Sequence, residues 1–342
     1  MPGPCELGVA PLITAPSLSQ QLEETGWAVC SDAASPAFCA AVRAEICSLH
    51  STGQLSASLN RVATERGSNA TDGDGHLCAK HGVYELDVLL DGAVVAPAAL
   101  KASPALTAWL GASRLGSDAG CGCSELVAQL NLAAPWLALR SLDTLKVQFN
   151  TGEGGCFPYH IDTTDRSQRT LTAILYLSEQ WEDRHGGALR IIPFPLAPVE
   201  IAPRAGTLAL FSSTTTLHRV LPAHAPRCVL SLWFTGAKVL FPSRLPAWTG
   251  WDGSVSLHPQ LTPTVLAFLR RPANARVLLK VLLADEWADS ITQAFGHSAG
   301  VHAALALHYH EVESLEAQIS VPLLHLLRRL VPLTRASDGP PG

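Results

Sequence analysis

LDTLKVQFN, residues 142–150, alternates apolar Leu145, Val147 and Phe149 with polar neighbours, which is the period of a β-strand. Similar short segments follow, with glycine, proline and serine between them, at 156–162, 171–178, 188–193, 206–211, 215–221 and 227–235. Short strands at this cadence are typical of an antiparallel sandwich or barrel. The middle of the chain therefore predicts an antiparallel β core.

Helical patterns lie on both sides of this core. Ser35-Pro36 offers an N-cap followed by proline at the first helical position, and it predicts a helix to about His50. The expected buried face contains Phe38, Val42 and Ile46. Further helices are predicted at 104–112, 301–319 and 321–331, and at 273–295, where one stripe contains Val277, Leu278, Val281 and Leu282.

The predicted fold class is thus α+β, a β core between two helical parts. The expected organisation has five segments: a flexible tail at 1–20, a mixed helical part at 21–141, the core at 142–240, a helical extension at 241–334 and a flexible tail at 335–342. Residues 66–77 are rich in glycine, aspartate and asparagine and are predicted to form a flexible loop, a candidate lid.

Charge and cysteine usage limit the possible partners and compartments. The formal net charge of −5 and the lack of a basic cluster predict no nucleic-acid partner. The sequence has no apolar run of the ~18–20 residues that span a bilayer, so no membrane partner is expected. Arg43 is the first basic residue, which argues against a leader segment. Nine cysteines, an odd number, favour reduced thiols in the cytosol or nucleus.

One pair of residues in the core predicts a metal site. His160 and Asp162 are two apart in a predicted strand, so both side chains point to one face. His218 lies in another strand-like segment and is a candidate third ligand, with His224 as the alternative between two prolines. Two histidines and one carboxylate on one side of an ion are the arrangement of non-haem iron(II) oxygenases.

An arginine in the last predicted strand indicates an anionic ligand. In RCVLSLWF, residues 227–234, both faces of the strand look buried although one contains Arg227. A buried guanidinium without a partner is costly, so it is expected to meet a carboxylate. A bound ligand carboxylate suits its planar fork, and a structural salt bridge is the alternative. Tyr176, in LTAILYLS, is positioned to place its hydroxyl beside the same anion.

These residues carry a family resemblance. His160-x-Asp162, His218 and Arg227 nine positions further on resemble the pattern of the iron(II)- and 2-oxoglutarate-dependent oxygenases. GGALRIIPF (186–194) and LHRVLPAHAPRCVLSLWF (217–234) are similar to segments of the prolyl hydroxylase branch, particularly the hypoxia-sensing prolyl hydroxylases. The resemblance is strong over 142–236 and faint over 21–141.

The resemblance implies a double-stranded β-helix, a jelly-roll or cupin-like core, with His160, Asp162 and His218 on iron(II). It implies that Arg227 pairs with the distal carboxylate of 2-oxoglutarate, beside Tyr176, Ser231 and Leu189. Arg169 and Trp233 occupy positions that face a peptide substrate in the relatives. The implied activity is a dioxygenase that hydroxylates prolyl residues of a protein, consumes dioxygen, releases succinate and CO₂, and uses ascorbate.

One departure from the pattern concerns the pocket wall, because the tyrosine ten residues before the first metal histidine is Asn150 here. Two alternatives therefore remain beside a prolyl hydroxylase. The first is an oxygenase of the same kind that acts on another residue type or a small molecule. The second is a catalytically inactive binding module on the same scaffold.

Overall fold

Strands fill the middle of the chain and helices flank them. The computed structural model describes residues 16–63, 75–111, 124–162, 169–242 and 262–330. The strands are β1 (Trp27–Cys30), β2 (Ser56–Ala63), β3 (Gly75–Leu90), β4 (Ala93–Val94), β5 (Ser141–Asn150), β6 (Phe157–His160), β7 (Arg169–Tyr176), β8 (Leu189–Ile192), β9 (Val199–Ile201), β10 (Leu208–Ser212), β11 (Leu217–Val220) and β12 (Arg227–Thr235). The helices are α1 (Pro16–Thr25), α2 (Pro36–Ser51), α3 (Pro97–Lys101), α4 (Pro104–Leu110), α5 (Ser124–Ala133), α6 (Pro263–Leu269), α7 (Pro272–Leu282), α8 (Ala284–Phe295), α9 (Ala299–Glu316) and α10 (Val321–Leu330).

Helix α2 begins where its capping residues predict. The Ser35 hydroxyl accepts a hydrogen bond of 3.2 Å from the backbone N–H of Phe38, and Pro36 follows the cap. Val42 and Ile46 are fully buried, and Phe38 packs against Trp109 with their ring centroids 5.8 Å apart. The predicted buried face is confirmed.

The strands form two antiparallel sheets that face each other. The major sheet has the order β1-β10-β7-β12-β5-β3-β2, with β4 beside β3, and the minor sheet has the order β6-β11-β8-β9. Apolar side chains from both sheets meet between them: Ile174, Tyr176, Ala209, Phe211 and Val229 from the major sheet, and Leu189, Ile191, Ile201 and Val220 from the minor sheet. This arrangement is the predicted double-stranded β-helix.

Strand β12 has two buried faces, as its sequence predicts. Cys228, Leu230, Leu232 and Phe234 belong to the apolar cluster that also contains the N-terminal helices. The opposite face contains Arg227, Ser231 and Trp233 and lines a cavity between the sheets. The same division holds for β5, because its apolar residues pack on the helices and its polar residues line that cavity.

The C-terminal extension packs on the minor sheet and contains two helices more than predicted, because α6 was not expected and one predicted helix is divided. The helical stretch expected at 273–295 is divided at Leu283, whose backbone leaves helical geometry at φ −107° and ψ 21°. Leu283 is buried in a cluster with Tyr159, Ile192 and Leu217 of the sheet. The break turns α8 onto β6 while Leu283 stays in the apolar contact. Each such buried leucine stabilises the packing by roughly 1.5–3 kcal/mol.

The N-terminal region contributes more structure than the sequence indicated. The tail predicted at 1–20 is wrong from Pro16, because α1 places Leu18 and Leu22, one helical turn apart, in the core. Strands β1, β2 and β3 also extend the major sheet beyond the expected 142–240 core. Of the loop predicted at 66–77, residues 66–74 lie outside the described residues and 75–77 begin β3. The predicted tail at 335–342 is outside them as well.

Among the helices described, none combines the length and the apolar character that a membrane crossing requires.

Candidate metal centre

Two histidines face each other across neighbouring strands of the minor sheet. His160 at the end of β6 pairs with His218 of β11, and their ring centroids are 4.2 Å apart. Nδ1 of His160 lies 2.8 Å from the carbonyl oxygen of Pro158, and Nδ1 of His218 lies 3.1 Å from that of Thr216. Because a carbonyl oxygen only accepts, each Nδ1 is the donor. Each Nε2 therefore keeps a lone pair for a metal.

Asp162 completes a group of three possible ligands. Strand β6 ends at His160, so Asp162 follows the strand and does not lie within it as predicted for 156–162. Its Oδ1 is 3.6 Å from Nε2 of His160 and 3.8 Å from Nε2 of His218. One donor atom from each residue lies within 4.8 Å of the other two. Two imidazoles and a carboxylate so arranged are the donor set of a non-haem iron(II) site.

The surroundings of the three residues set their charges. Burial opposes ionisation of Asp162, but His218, His160 and the Thr172 hydroxyl outweigh it and hold the pKa of Asp162 below its ordinary range. Burial, with His160 nearby, lowers the pKa of His218 to about 4. At neutral pH the aspartate is thus anionic and His218 is neutral, and these are the states in which both can bind a metal.

His224, the alternative third ligand, lies elsewhere. It is exposed, and its backbone N–H donates to the carbonyl oxygen of His185 at 2.7 Å. Within the described ranges, His160, Asp162 and His218 are the group of metal-ligating side chains that comes together.

The three residues line a cavity of about 210 Å³ that also contains Arg227. Nε and Nη2 of Arg227 are buried without a hydrogen-bond partner in the described part of the chain, and so is the hydroxyl of Tyr176. The guanidinium carbon lies 5.3 Å from the centre of the Tyr176 ring. Burial raises the pKa of Tyr176 to about 12, so its hydroxyl is protonated and can donate. Unpaired donors at one end of a cavity fit an anionic ligand better than a structural salt bridge.

The other predicted pocket residues occupy different positions around the cavity. Leu189 and Ser231 line it, but the Ser231 hydroxyl donates to Oε1 of Gln148 at 3.2 Å. Trp233 also lines it, and the guanidinium carbon of Arg169 lies 4.7 Å from the Trp233 ring centre. The structure thus brings the two predicted substrate residues into contact with each other.

The strands that carry this site match a known protein family. The sequence profile described as "2OG-Fe(II) oxygenase superfamily" matches residues 145–235, which run from β5 to the end of β12. That range contains His160, Asp162, His218 and Arg227. Over these residues the β core is similar to the 2OG-Fe(II) oxygenase superfamily. Iron(II), 2-oxoglutarate and dioxygen are the reactants that this similarity implies.

Individual relatives are similar to this β core over part of their length. Egl nine homolog 1 of Rattus norvegicus is 32% identical over 112 residues, which are 32% of this chain and 33% of the relative. Prolyl hydroxylase EGLN3 of Mus musculus is 32% identical over 90 residues, 25% of this chain and 38% of the relative. The chain spans 33–38% of the length of these curated relatives. A crystal structure of prolyl 4-hydroxylases from Phytophthora capsici has 26% identity and a TM-score of 0.65 and covers 97% of both chains.

The sequence motifs did not indicate several residues of this cavity. Thr172 precedes Ile174 by two residues and Tyr176 by four on β7. The period of two therefore places all three side chains on one face of the strand and indicates Thr172 as a cavity residue. The polar residues of β5, Lys146 and Gln148, face the cavity with Glu85 and Lys80 of β3. The alternation along β5 separates its polar from its apolar side chains. Only the packing of helices on the apolar face decides that the polar face points into the cavity.

Asn150, which stands where the family pattern has a tyrosine, holds a turn that leads into β6. Its Nδ2 donates to the carbonyl oxygen of Gly155 at 2.8 Å, and its Oδ1 accepts from the N–H of Gly152 at 3.0 Å. Gly152 has φ +87°, and a Cβ there would lie 2.5 Å from the carbonyl carbon of Ala225. The turn therefore requires glycine and packs against the segment that leads into Arg227.

The C-terminal helices hold the two strands that bear the histidines. The Ser290 hydroxyl of α8 accepts from the N–H of Tyr159 at 3.2 Å, and the Tyr159 hydroxyl donates to Glu286 at 3.1 Å. Arg219, next to His218, donates to Gln293 at 2.7 Å. The C-terminal third, which carried no resemblance in the sequence, thus positions the candidate metal centre.

Proposed function

We propose that this protein is an iron(II)- and 2-oxoglutarate-dependent dioxygenase that hydroxylates prolyl residues of a protein substrate and releases succinate and CO₂. The superfamily match and the similarity to prolyl hydroxylases support the reaction class. The observation that carries the proposal is the pairing of a three-donor metal site with an unsatisfied arginine in one cavity. A binding module would need neither feature.

The residues of the cavity fit both groups that this activity needs. His160, Asp162 and His218 would hold iron(II) through the two Nε2 atoms and Oδ1. The buried nitrogens of Arg227 and the Tyr176 hydroxyl would hold the distal carboxylate of 2-oxoglutarate, which satisfies their missing hydrogen bonds. When bound, iron and 2-oxoglutarate supply the oxidation of a substrate C–H bond to an alcohol.

The protein's own contribution is orientation and exclusion of water. Thr172 fixes the Asp162 carboxylate, the backbone carbonyls fix both imidazoles, and apolar Leu189 and Ile174 cover part of the cavity wall. Such fixed ligands keep the geometry of an ion while other positions stay open to reactants.

We propose a prolyl residue in an extended peptide as the acceptor. Trp233 gives the cavity an aromatic wall, and its buried Nε1–H has no partner in the described residues. A proline ring has no amide donor and favours extended backbone, so it packs on such a wall while a neighbouring carbonyl accepts from the indole. The cysteine usage supports the cytosol or nucleus as the compartment.

The test is turnover with a panel of proline-containing peptides in the presence of iron(II), ascorbate and 2-oxoglutarate. Succinate is quantified, and mass spectrometry locates the added oxygen. The expected result is a 16-dalton increase on proline coupled to succinate, absent from Asp162→Ala. Oxidation of lysine, asparagine or a small metabolite with proline untouched would contradict the prolyl acceptor. No binding of 2-oxoglutarate to the iron-loaded protein would contradict the oxygenase itself.

A further inference from the structure

A lysine is buried in the cavity, two strands along the major sheet from the strand that bears Arg227. Lys80 of β3 is 5% exposed and lines the same cavity as the candidate metal ligands. Its Nζ donates to the hydroxyl of Ser58 at 2.7 Å and to Oδ1 of Asn60 at 2.9 Å, and lies 4.6 Å from the centre of the Phe157 ring. Strand β5 separates β3 from β12, the strand that bears Arg227.

Both hydrogen-bond partners of this ammonium group are neutral. Within the described residues, no carboxylate lies within ion-pair distance of Lys80. Glu85, which also lines the cavity, pairs with Lys146 at 2.9 Å. An ammonium group has three N–H donors, and two are used. Burial lowers the pKa of Lys80 to about 8, and Glu85 partly opposes this effect. The group is still mainly charged at pH 7, although a buried charge without a counter-ion is costly.

The cavity as a whole keeps one positive charge. Lys80, Lys146 and Arg227 line it as cations, and Glu85 and Asp162 line it as anions. Iron(II) adds two positive charges and the 2-oxoglutarate dianion removes two, so the surplus of one remains in the loaded site. The surplus would then lie on Lys80, because Lys146 pairs with Glu85 and the bound cosubstrate would pair with Arg227.

A hydrogen-bond partner of Lys80 lies between two cavities. Asn60, its partner, also lines a second cavity of about 250 Å³ that shares His160 and is walled by Trp287 and Leu307 of the C-terminal helices. Lys80 thus lines the cavity of the three candidate metal ligands and is hydrogen-bonded to a residue that this cavity shares with the second one. It has a spare donor that none of the groups assigned above uses.

We propose that Lys80 binds a carboxylate of the molecule that is oxidised, so that the preferred acceptor is a prolyl peptide with an aspartate or glutamate close to the hydroxylated proline. This inference rests on the proposed function and specifies its substrate class. A charge-assisted hydrogen bond in this cavity should favour the acidic peptide by roughly 10- to 100-fold over its neutral match.

The experiment uses matched peptides and a binding measurement. In a neutral host peptide with one proline, a single glutamate is placed in turn at each position from three residues before the proline to three residues after it. The control peptide for each position has glutamine in place of that glutamate. Dissociation constants are measured by fluorescence anisotropy with iron(II) and 2-oxoglutarate under anaerobic conditions, and hydroxylation is followed in air. The expected result is one glutamate position that tightens binding at least tenfold. Equal affinities for all glutamate and glutamine pairs would overturn the proposal.

Variants then assign the preference to Lys80. Lys80→Met should weaken binding of the acidic peptide to the level of the neutral one, and Lys80→Arg should keep a preference. Lys101→Met is the control, since Lys101 is an exposed lysine at the end of α3 that lines neither cavity. It should retain the full preference. Equal weakening of both peptides by Lys80→Met, or loss of the preference in Lys101→Met, would overturn the proposal.

Two further readouts separate this inference from the proposed function. Lys80→Met should bind iron(II) and 2-oxoglutarate as tightly as the wild type; weaker 2-oxoglutarate binding would mean that Lys80 serves the cosubstrate and the proposal is wrong. Free L-proline, which has a carboxylate of its own, is tested in parallel. If L-proline alone is oxidised and Lys80→Met abolishes this, the carboxylate contact stands, but the acceptor is an amino acid and the protein-substrate function fails.

Discussion

Thr172 donates a hydrogen bond of 2.6 Å to Oδ2 of Asp162, the carboxylate oxygen that is not the one nearest the histidines. Thr172 also shares a hydrogen bond of 2.8 Å with Ser213. The carboxylate is therefore oriented by β7 of the major sheet, while both histidines belong to the minor sheet. The candidate metal centre thus depends on how the two sheets face each other.

Replacing Thr172 by valine should weaken iron(II) binding roughly 10- to 100-fold, because the carboxylate loses the group that orients it. Thr170→Val is the matched control: Thr170 is buried on the same strand but donates to the carbonyl oxygen of Ala237. Iron affinity is measured by competition with a chelator. Equal affinity of both variants would show that Thr172 does not support the metal.

Single substitutions of His160, Asp162 or His218 by alanine should abolish tight iron(II) binding and turnover. Two remaining protein donors cannot compete with water and chelators for the ion. His224→Ala should leave iron binding nearly unchanged, since this side chain is exposed and away from the group. The assignment of the third ligand is wrong if His224→Ala removes the metal and His218→Ala does not.

Arg227→Lys should weaken 2-oxoglutarate binding but spare iron(II). A point charge replaces a bidentate fork, and the loss of two charge-assisted hydrogen bonds costs on the order of 2–4 kcal/mol, or roughly 30- to 1,000-fold in affinity. Tyr176→Phe should cost less, about 1 kcal/mol, because one neutral donor is lost. Anaerobic titration of the iron-loaded protein measures both. An unchanged dissociation constant in Arg227→Lys would make Arg227 a structural residue.

Ser290→Ala should destabilise the protein by about 1–3 kcal/mol, because the buried N–H of Tyr159 loses its acceptor. Strand β6 is then held less firmly, and iron affinity should fall as well. Ser314→Ala, an exposed position on α9, is the control. The free energy of unfolding in urea and the iron dissociation constant are the two measurements. Unchanged values for both would mean that the C-terminal helices do not position the metal strand.

The metal-free protein should become more stable as the pH rises from about 4 to about 6.5. The pKa of His218 is about 4 in the folded chain against an ordinary value of 6.5, so between these limits the unfolded chain binds more protons. The lowered pKa of Asp162 adds stability that is lost at still lower pH. Urea unfolding at several pH values measures the slope, which His218→Asn should flatten. An unaltered slope in the variant would assign the effect to other groups.

The sequence predicted the strands of the core well, because alternation with a period of two is a local property. The six strands expected after β5 all form, each within a few residues of its predicted bounds. The sequence was less informative for helices that depend on distant contacts. The break at Leu283 has no glycine or proline to mark it, and α1 forms because Leu18 and Leu22 find the core.

By itself the sequence determined the residue types and spacing of the site: a histidine and an aspartate two apart, a second histidine and an arginine nine residues later. Only the tertiary structure decided that His160 pairs with His218, that Thr172 reaches Asp162, and that Lys80 enters the same cavity. The reason is physical. A period of two places side chains on one face of one strand, but the side chains of different strands meet only through the order and register of the sheets, which the burial of apolar residues distributed over the whole chain decides.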